Sequence, residues 1–138
     1  MTEPLTFVDT NVLVYAHDAS AGERRARAVA LLASLWADRA GVVSTQVLTE
    51  FYQVATHKLA MAPTEAREIV LVYAAWPVVA VDVPLMALAM ERHERDAVAW
   101  WDCLVVEAAL RAGADRLASE DFQSGRRFGP LEVANPFA

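Results

Sequence analysis

The chain has 138 residues, of which 56% are hydrophobic and 22% charged, and its net charge at pH 7 is −6. That much apolar content excludes a disordered chain, and the acidic balance counts against a broad, non-specific nucleic-acid binder. Cys103 is the only cysteine, which excludes an internal disulfide and a thiolate metal site.

Residues 5–8 are an apolar run that predicts a short buried strand, and Thr10 and Asn11 open a helix through about residue 17. Ala28, Leu31, Leu32, Leu35 and Trp36 recur at helical spacing within 21–39, with Glu23 and the cluster Arg24, Arg25 and Arg27 in the first turns. Gly41 is expected to end that helix. Residues 42–44 predict a brief strand, and Thr45 an N-cap for a helix through about His57. Pro63 opens a helix to about Ala75, which Pro77 stops. Residues 78–81 predict a buried strand, and Pro84 sits in the first turn of a helix to about Glu94. A further helix spans about 101–112 and ends at Gly113. Residues 116–119 and 131–134 predict the last two strands, and 124–130, rich in Gly and Arg, a mobile loop.

Short apolar strands alternating with helices imply parallel βαβ units in an α/β fold: a three-layer α/β/α sandwich with a mostly parallel sheet of about five strands. No repeat or linker divides the chain, so residues 1–138 are expected to form one domain. The longest uncharged apolar run, 69–81, is broken by Pro77 and too short to span a membrane. The N-terminus lacks a basic region followed by an apolar stretch and a small-residue cleavage site, so a cytoplasmic location is expected.

Four carboxylates sit in apolar settings without an Arg or Lys within three residues: Asp9, Glu50, Asp102 and Asp121. Asp9 and Asp121 fall at or just past the carboxyl ends of predicted strands, where open α/β sheets bind ligands. Glu50 shares an inward helical face with Val47, Phe51 and Val54, and Asp102 shares one with Val105, Val106 and Ala109. Structural readings compete: Asp9 and Asp102 suit helix caps, and Asp121 suits a turn. Glu50 has no such routine role, and capping does not predict the joint pattern. An uncompensated buried carboxylate is costly, and four gathered together repel unless a divalent cation lies between them. Oxygen-only donors select Mg²⁺ or Mn²⁺. Mg²⁺ favours sites completed by substrate phosphate, where such ions activate water. The residues alone therefore lead to a metal-dependent nuclease or phosphatase, without separating the two. The three histidines are scattered, Ser44, Ser119 and Ser124 lack a nearby histidine, and no Gly-rich phosphate loop is present.

Four segments carry a resemblance. Phe7-Val8-Asp9-Thr10-Asn11-Val12-Leu13, Thr49-Glu50-Phe51, the run Trp101-Asp102-Cys103-Leu104-Val105-Val106-Glu107-Ala108-Ala109, and Leu117-Ala118-Ser119-Glu120-Asp121-Phe122-Gln123 resemble the PIN domain in order and spacing. The last is most similar to VapC-type toxins of bacterial toxin–antitoxin pairs. The resemblance implies a Mg²⁺- or Mn²⁺-dependent endoribonuclease, with one or two ions, acting on RNA such as tRNA or rRNA. It implies Asp9 and Asp102 as principal metal ligands, Asp121 completing the site and Glu50 binding directly or through water. It also implies Thr10, Asn11 and Ser119 as groups orienting ligands and waters, a homodimer, and a VapB-like antitoxin whose C-terminal segment blocks the site. Two features depart from the family: Cys103 stands where Ala is commoner, and 91–97 is unusually charged.

The Arg clusters would hold flanking phosphates, although a solvated face is the ordinary reading of each. The apolar helix bearing Ile69, Val70, Val72, Tyr73 and Trp76 reads as core, with a dimer or antitoxin face as the alternative. Trp100 and Trp101 read as core and rim packing, with base stacking open to an exposed ring. Competing functions are an RNA-processing or single-stranded DNA nuclease without a toxin role, and a non-catalytic metal-binding or interaction module.

Overall fold

Thr6, Phe7 and Val8 form strand β1 (Thr6–Val8), buried along its whole length. Such a run, without alternation, suits a parallel strand covered on both faces. The structure is a computed structural model that describes residues 4–138. After β1 come α1 (Thr10–Ala16), α2 (Glu23–Asp38), β2 (Gly41–Ser44), α3 (Thr45–His57), α4 (Pro63–Tyr73) and β3 (Val78–Val79). The chain continues through α5 (Val83–Arg95), α6 (Trp100–Arg111), β4 (Arg116–Ala118), β5 (Arg127–Phe128) and β6 (Leu131–Ala134).

The strands make one sheet in the order β3-β2-β1-β4-β6-β5. All pairings are parallel except β5 with β6. Helices flank the sheet, which gives the expected three-layer α/β/α architecture. Phe7 lies between Val42 of β2 and Leu117 of β4. From β1 the chain builds outward through β2 and β3, then returns to add β4 on the other side. The sheet's switch point therefore falls between β1 and β4, where a ligand crevice opens beyond the strand ends. Phe7, Leu13, Phe51, Leu85, Leu117 and Leu131 are fully buried around it.

Six strands stand where about five are expected, because 124–130 is not simply a loop. Arg127 and Phe128 pair antiparallel with β6 across a turn at Gly129, whose φ of 60° suits a tight hairpin. Phe128 is buried against Phe122, their ring centroids 5.9 Å apart. At the other edge, β3 is only two half-buried residues rather than the buried strand expected over 78–81.

Gly41 does not end α2. Arg39 does so, in the left-handed conformation, and Gly41 begins β2. A Cβ at Gly41 would lie 2.6 Å from the Trp76 ring, so glycine is required there by close packing. Ser44, not Thr45, caps α3 by accepting from Val47 N at 3.2 Å. Thr45 Oγ1 instead accepts from Val81 N at 3.1 Å. The segment around α4 divides between the two readings: Tyr73 and Trp76 join the core, while Leu71 and Val72 are exposed.

Candidate functional site

β1 delivers Asp9 to the switch point, and β4 delivers the segment 119–121 beside it. Asp9 N donates to Ala118 O at 3.0 Å, which extends the strand pairing by one residue. The Asp9 side chain is 3% exposed. It caps α1, accepting from Thr10 N on Oδ1 at 2.7 Å, and its Oδ2 accepts from Ser119 Oγ at 2.7 Å. The capping role read from the sequence is thus present, together with a second contact that capping does not need.

Ser119 is fully buried and organises the turn beyond β4. Its Oγ accepts from Asp121 N at 3.0 Å and from Asn11 Nδ2 at 3.4 Å. Asn11 Nδ2 also donates to Asp121 Oδ2 at 3.2 Å, and Asn11 Oδ1 accepts from Glu120 N at 3.4 Å. α1 and the β4 turn are therefore laced together through one serine and one asparagine.

Glu50 comes from α3, half-buried as its helical face requires. Thr10 Oγ1 donates to its Oε2 at 2.8 Å, and Gln46 Nε2 donates to its Oε1 at 3.1 Å. The same Gln46 nitrogen donates to Trp101 O at 3.3 Å, tying α3 to the first turn of α6. Asp102 lies in that turn, but Ala99 occupies the N-cap position, so Asp102 caps nothing.

The PIN domain profile matches residues 6–126, which span β1 through the turn after β4. The chain belongs to the PIN domain family. Its fold is similar to that of Mycobacterium tuberculosis VapC20, a sarcin–ricin loop cleaving toxin, at 22% identity and a TM-score of 0.65, covering 84% of this chain and 91% of that one. It is also similar to Rickettsia felis VapBC2, solved bound to a DNA fragment from its promoter, at 18% identity and a TM-score of 0.65, covering 95% and 98%. No curated protein matches the chain significantly.

In this PIN domain the acids sense one another. Burial raises the Asp9 carboxyl to about 7; the Ser119 and Thr10 hydrogen bonds oppose the rise, and Asp121 and Asp102 add to it. Asp102 is also raised, by burial first and then by Asp121 and Glu50. All charges acting on these two groups are negative. Yet among the described residues no three His, Cys, Asp or Glu side chains converge closely enough to hold a metal ion. The acids share a region without forming a closed cage. Their donor chemistry, oxygen only, fits a hard divalent cation that keeps water and takes a substrate phosphate.

Six of the eleven arginines face acids of their own. Arg24 meets Glu120 at 3.4 Å, Arg27 meets Glu23 at 2.9 Å, and Arg127 meets Glu132 at 3.1 Å. Arg92 and Arg95 both reach Asp96, which explains the charged lead-in to the third motif. Sequence reading missed Gln46, although its position four residues before Glu50 on one helix is a usable signal. It also missed Tyr15, whose OH donates to Glu120 Oε1 at 2.6 Å. That hydrogen bond raises the Tyr15 pKa.

Proposed function

We propose that this chain is one PIN nuclease domain: a divalent-metal-dependent endoribonuclease acting as the toxin of a toxin–antitoxin pair, with structured RNA as substrate. The observation that carries the reading is Asp9, an acid buried at the switch point, raised to about 7 and faced by other acids rather than by a cation. Asp9, Asp102 and Asp121 would hold Mg²⁺ or Mn²⁺, with Glu50 reaching it directly or through water. When bound, the ion would supply Lewis acidity towards water and the scissile phosphate.

The chain's own groups prepare that site. Thr10 N and Ser119 Oγ fix both Asp9 oxygens, while Asn11 orients Asp121. Thr10 and Gln46 hold the two Glu50 oxygens apart, so the carboxylate keeps one orientation. Exposed Leu71 and Val72, beside a cleft of about 260 Å³ lined by Leu48, Tyr52, Arg67 and Val70, support a protein partner as part of the same proposal, either an antitoxin segment or a second copy.

The test is cleavage of total RNA by the purified chain, with Mg²⁺ or Mn²⁺, with chelator, and with Asp9→Asn or Asp102→Asn. Discrete fragments that require the metal and vanish in both variants are the expected result. A folded, metal-supplied chain that cleaves no RNA would overturn it.

A further inference from the structure

Trp101 is 63% exposed, whereas Trp76 is 6% exposed and belongs to the core. The rings of Trp36, Trp76 and Trp100 each face another aromatic or histidine ring, and among the described residues Trp101 faces none. A lone exposed apolar side chain is ordinary. What sets Trp101 apart is how its backbone is held. Its carbonyl accepts from Gln46 Nε2, the nitrogen that also donates to Glu50 Oε1. Rotating the Gln46 amide would press its oxygen against both acceptors, so its orientation is fixed. The next residue is Asp102. Trp101 therefore adjoins Asp102 in the first turn of α6, on a helix rather than a loop, and its side chain is largely open to solvent.

We propose that Trp101 is a stacking platform for one unpaired base of the RNA strand cleaved at the acids, with Gln46 as the positioning residue that couples this platform to Glu50. The inference rests on the nuclease reading. Base–aromatic stacking needs an open π-face and tolerates any base. RNA recognised in loops presents bases splayed out of their stack. The net charge is −6, and six of the eleven arginines already meet acids, so an uncharged contact would add to a grip on RNA that the cations supply only in part.

The experiment uses Asp9→Asn protein in Mg²⁺, which binds without turnover, and a short RNA stem-loop carrying 2-aminopurine in its unpaired loop. Trp101→Ala is expected to weaken binding by about tenfold or more and to abolish quenching of the 2-aminopurine, while Trp101→Phe stays within about threefold. Replacing successive bases by abasic sites should reveal one position that costs the Trp101 protein about tenfold and costs Trp101→Ala nothing further. In the otherwise unaltered chain, Trp101→Ala should raise KM and leave kcat nearly unchanged. Equal sensitivity of both proteins to every abasic site would overturn the proposal, as would an Ala variant that binds RNA normally but loses self-association. If the unaltered chain cleaves RNA and Trp101→Ala cleaves it with the same KM, only the stacking role falls. If the unaltered chain neither binds nor cleaves RNA, the nuclease reading falls with it.

Discussion

Glu107 and Asp9 are both buried acids, 9% and 3% exposed, and they keep opposite company. Glu107, on α6, accepts from Arg92 Nε of α5 at 2.7 Å, and the same guanidinium meets Asp96 at 3.0 Å. Asp9 receives only neutral donors, Thr10 N and Ser119 Oγ, while its charged neighbours are Asp121 and Asp102. The first arrangement is electrostatically complete within the chain. The second is complete only as a neutral acid or with an added cation. Burial of an acid is thus not by itself the mark of a site; the missing counter-charge is.

The sharpest way to break that contrast is through activity. Asp9→Asn should lower metal-dependent RNA cleavage by more than the ~100-fold typical of losing a partner of a metal ligand. Glu107→Gln should leave the single-turnover rate of the folded fraction nearly unchanged. A rate lost equally in both variants would remove the distinction.

Stability should move the other way. Glu107→Gln should destabilise by about 3 kcal/mol, the low end for a broken buried pair, because Asp96 still meets Arg92. Asp9→Asn should stabilise the metal-free protein at neutral pH by up to a few kcal/mol, since it removes an ionisation that burial opposes. Urea unfolding of both variants reads this directly, and destabilisation by Asp9→Asn would mean that its charge is already compensated.

The pH dependence follows from the same shift. The Asp9 carboxyl has an ordinary value of 3.8 and sits at about 7 when folded. Between these values the native state holds a proton that the unfolded chain has lost. Metal-free stability from this group is therefore greatest below about pH 4 and declines as the pH rises towards about 7. Mg²⁺ should stabilise more strongly as the pH rises through that window, because it competes with the proton. Thermal melts with and without Mg²⁺ measure both slopes, and Asp9→Asn should flatten them.

The smallest expected effect belongs to Gln46→Met. Under the proposed function, cleavage should fall about tenfold through a loosened Glu50, the loss usual when a hydrogen-bond partner of a metal ligand is removed. Urea-derived stability should change by less than about 1 kcal/mol, because Gln46 Oε1 is buried without a donor and apolar replacement relieves it.

The central strands and all six helices were legible because each leaves a run or a period in the sequence. The two-residue edge strands β3 and β5 leave neither, so one was overextended and the other read as loop. Gly41 is a helix stop by local rules and a strand residue in fact, since the Trp76 ring that demands it lies 35 positions away in sequence. Ser44 and Thr45 are equally good caps by type; a distant amide at Val81 claims Thr45. Asp9, Glu50, Asp102 and Asp121 stood out because each lacks a nearby basic residue. That same rule could not weigh Glu107, whose partner Arg92 is 15 residues back on another helix. Local sequence displays what a side chain lacks nearby, and only the fold supplies what it meets across elements.

The bond from Ser119 to Asp9 spans 110 residues, and β1 pairs with β4 across the same interval. A growing chain that has made β1, β2 and β3 still lacks the strand that closes the switch point. Contacts of such long sequence separation form slowly, after the local helices. The acid constellation is therefore among the last features to assemble during synthesis. A nascent chain carries Asp9 for most of its translation without the serine and the acids that the finished fold sets beside it.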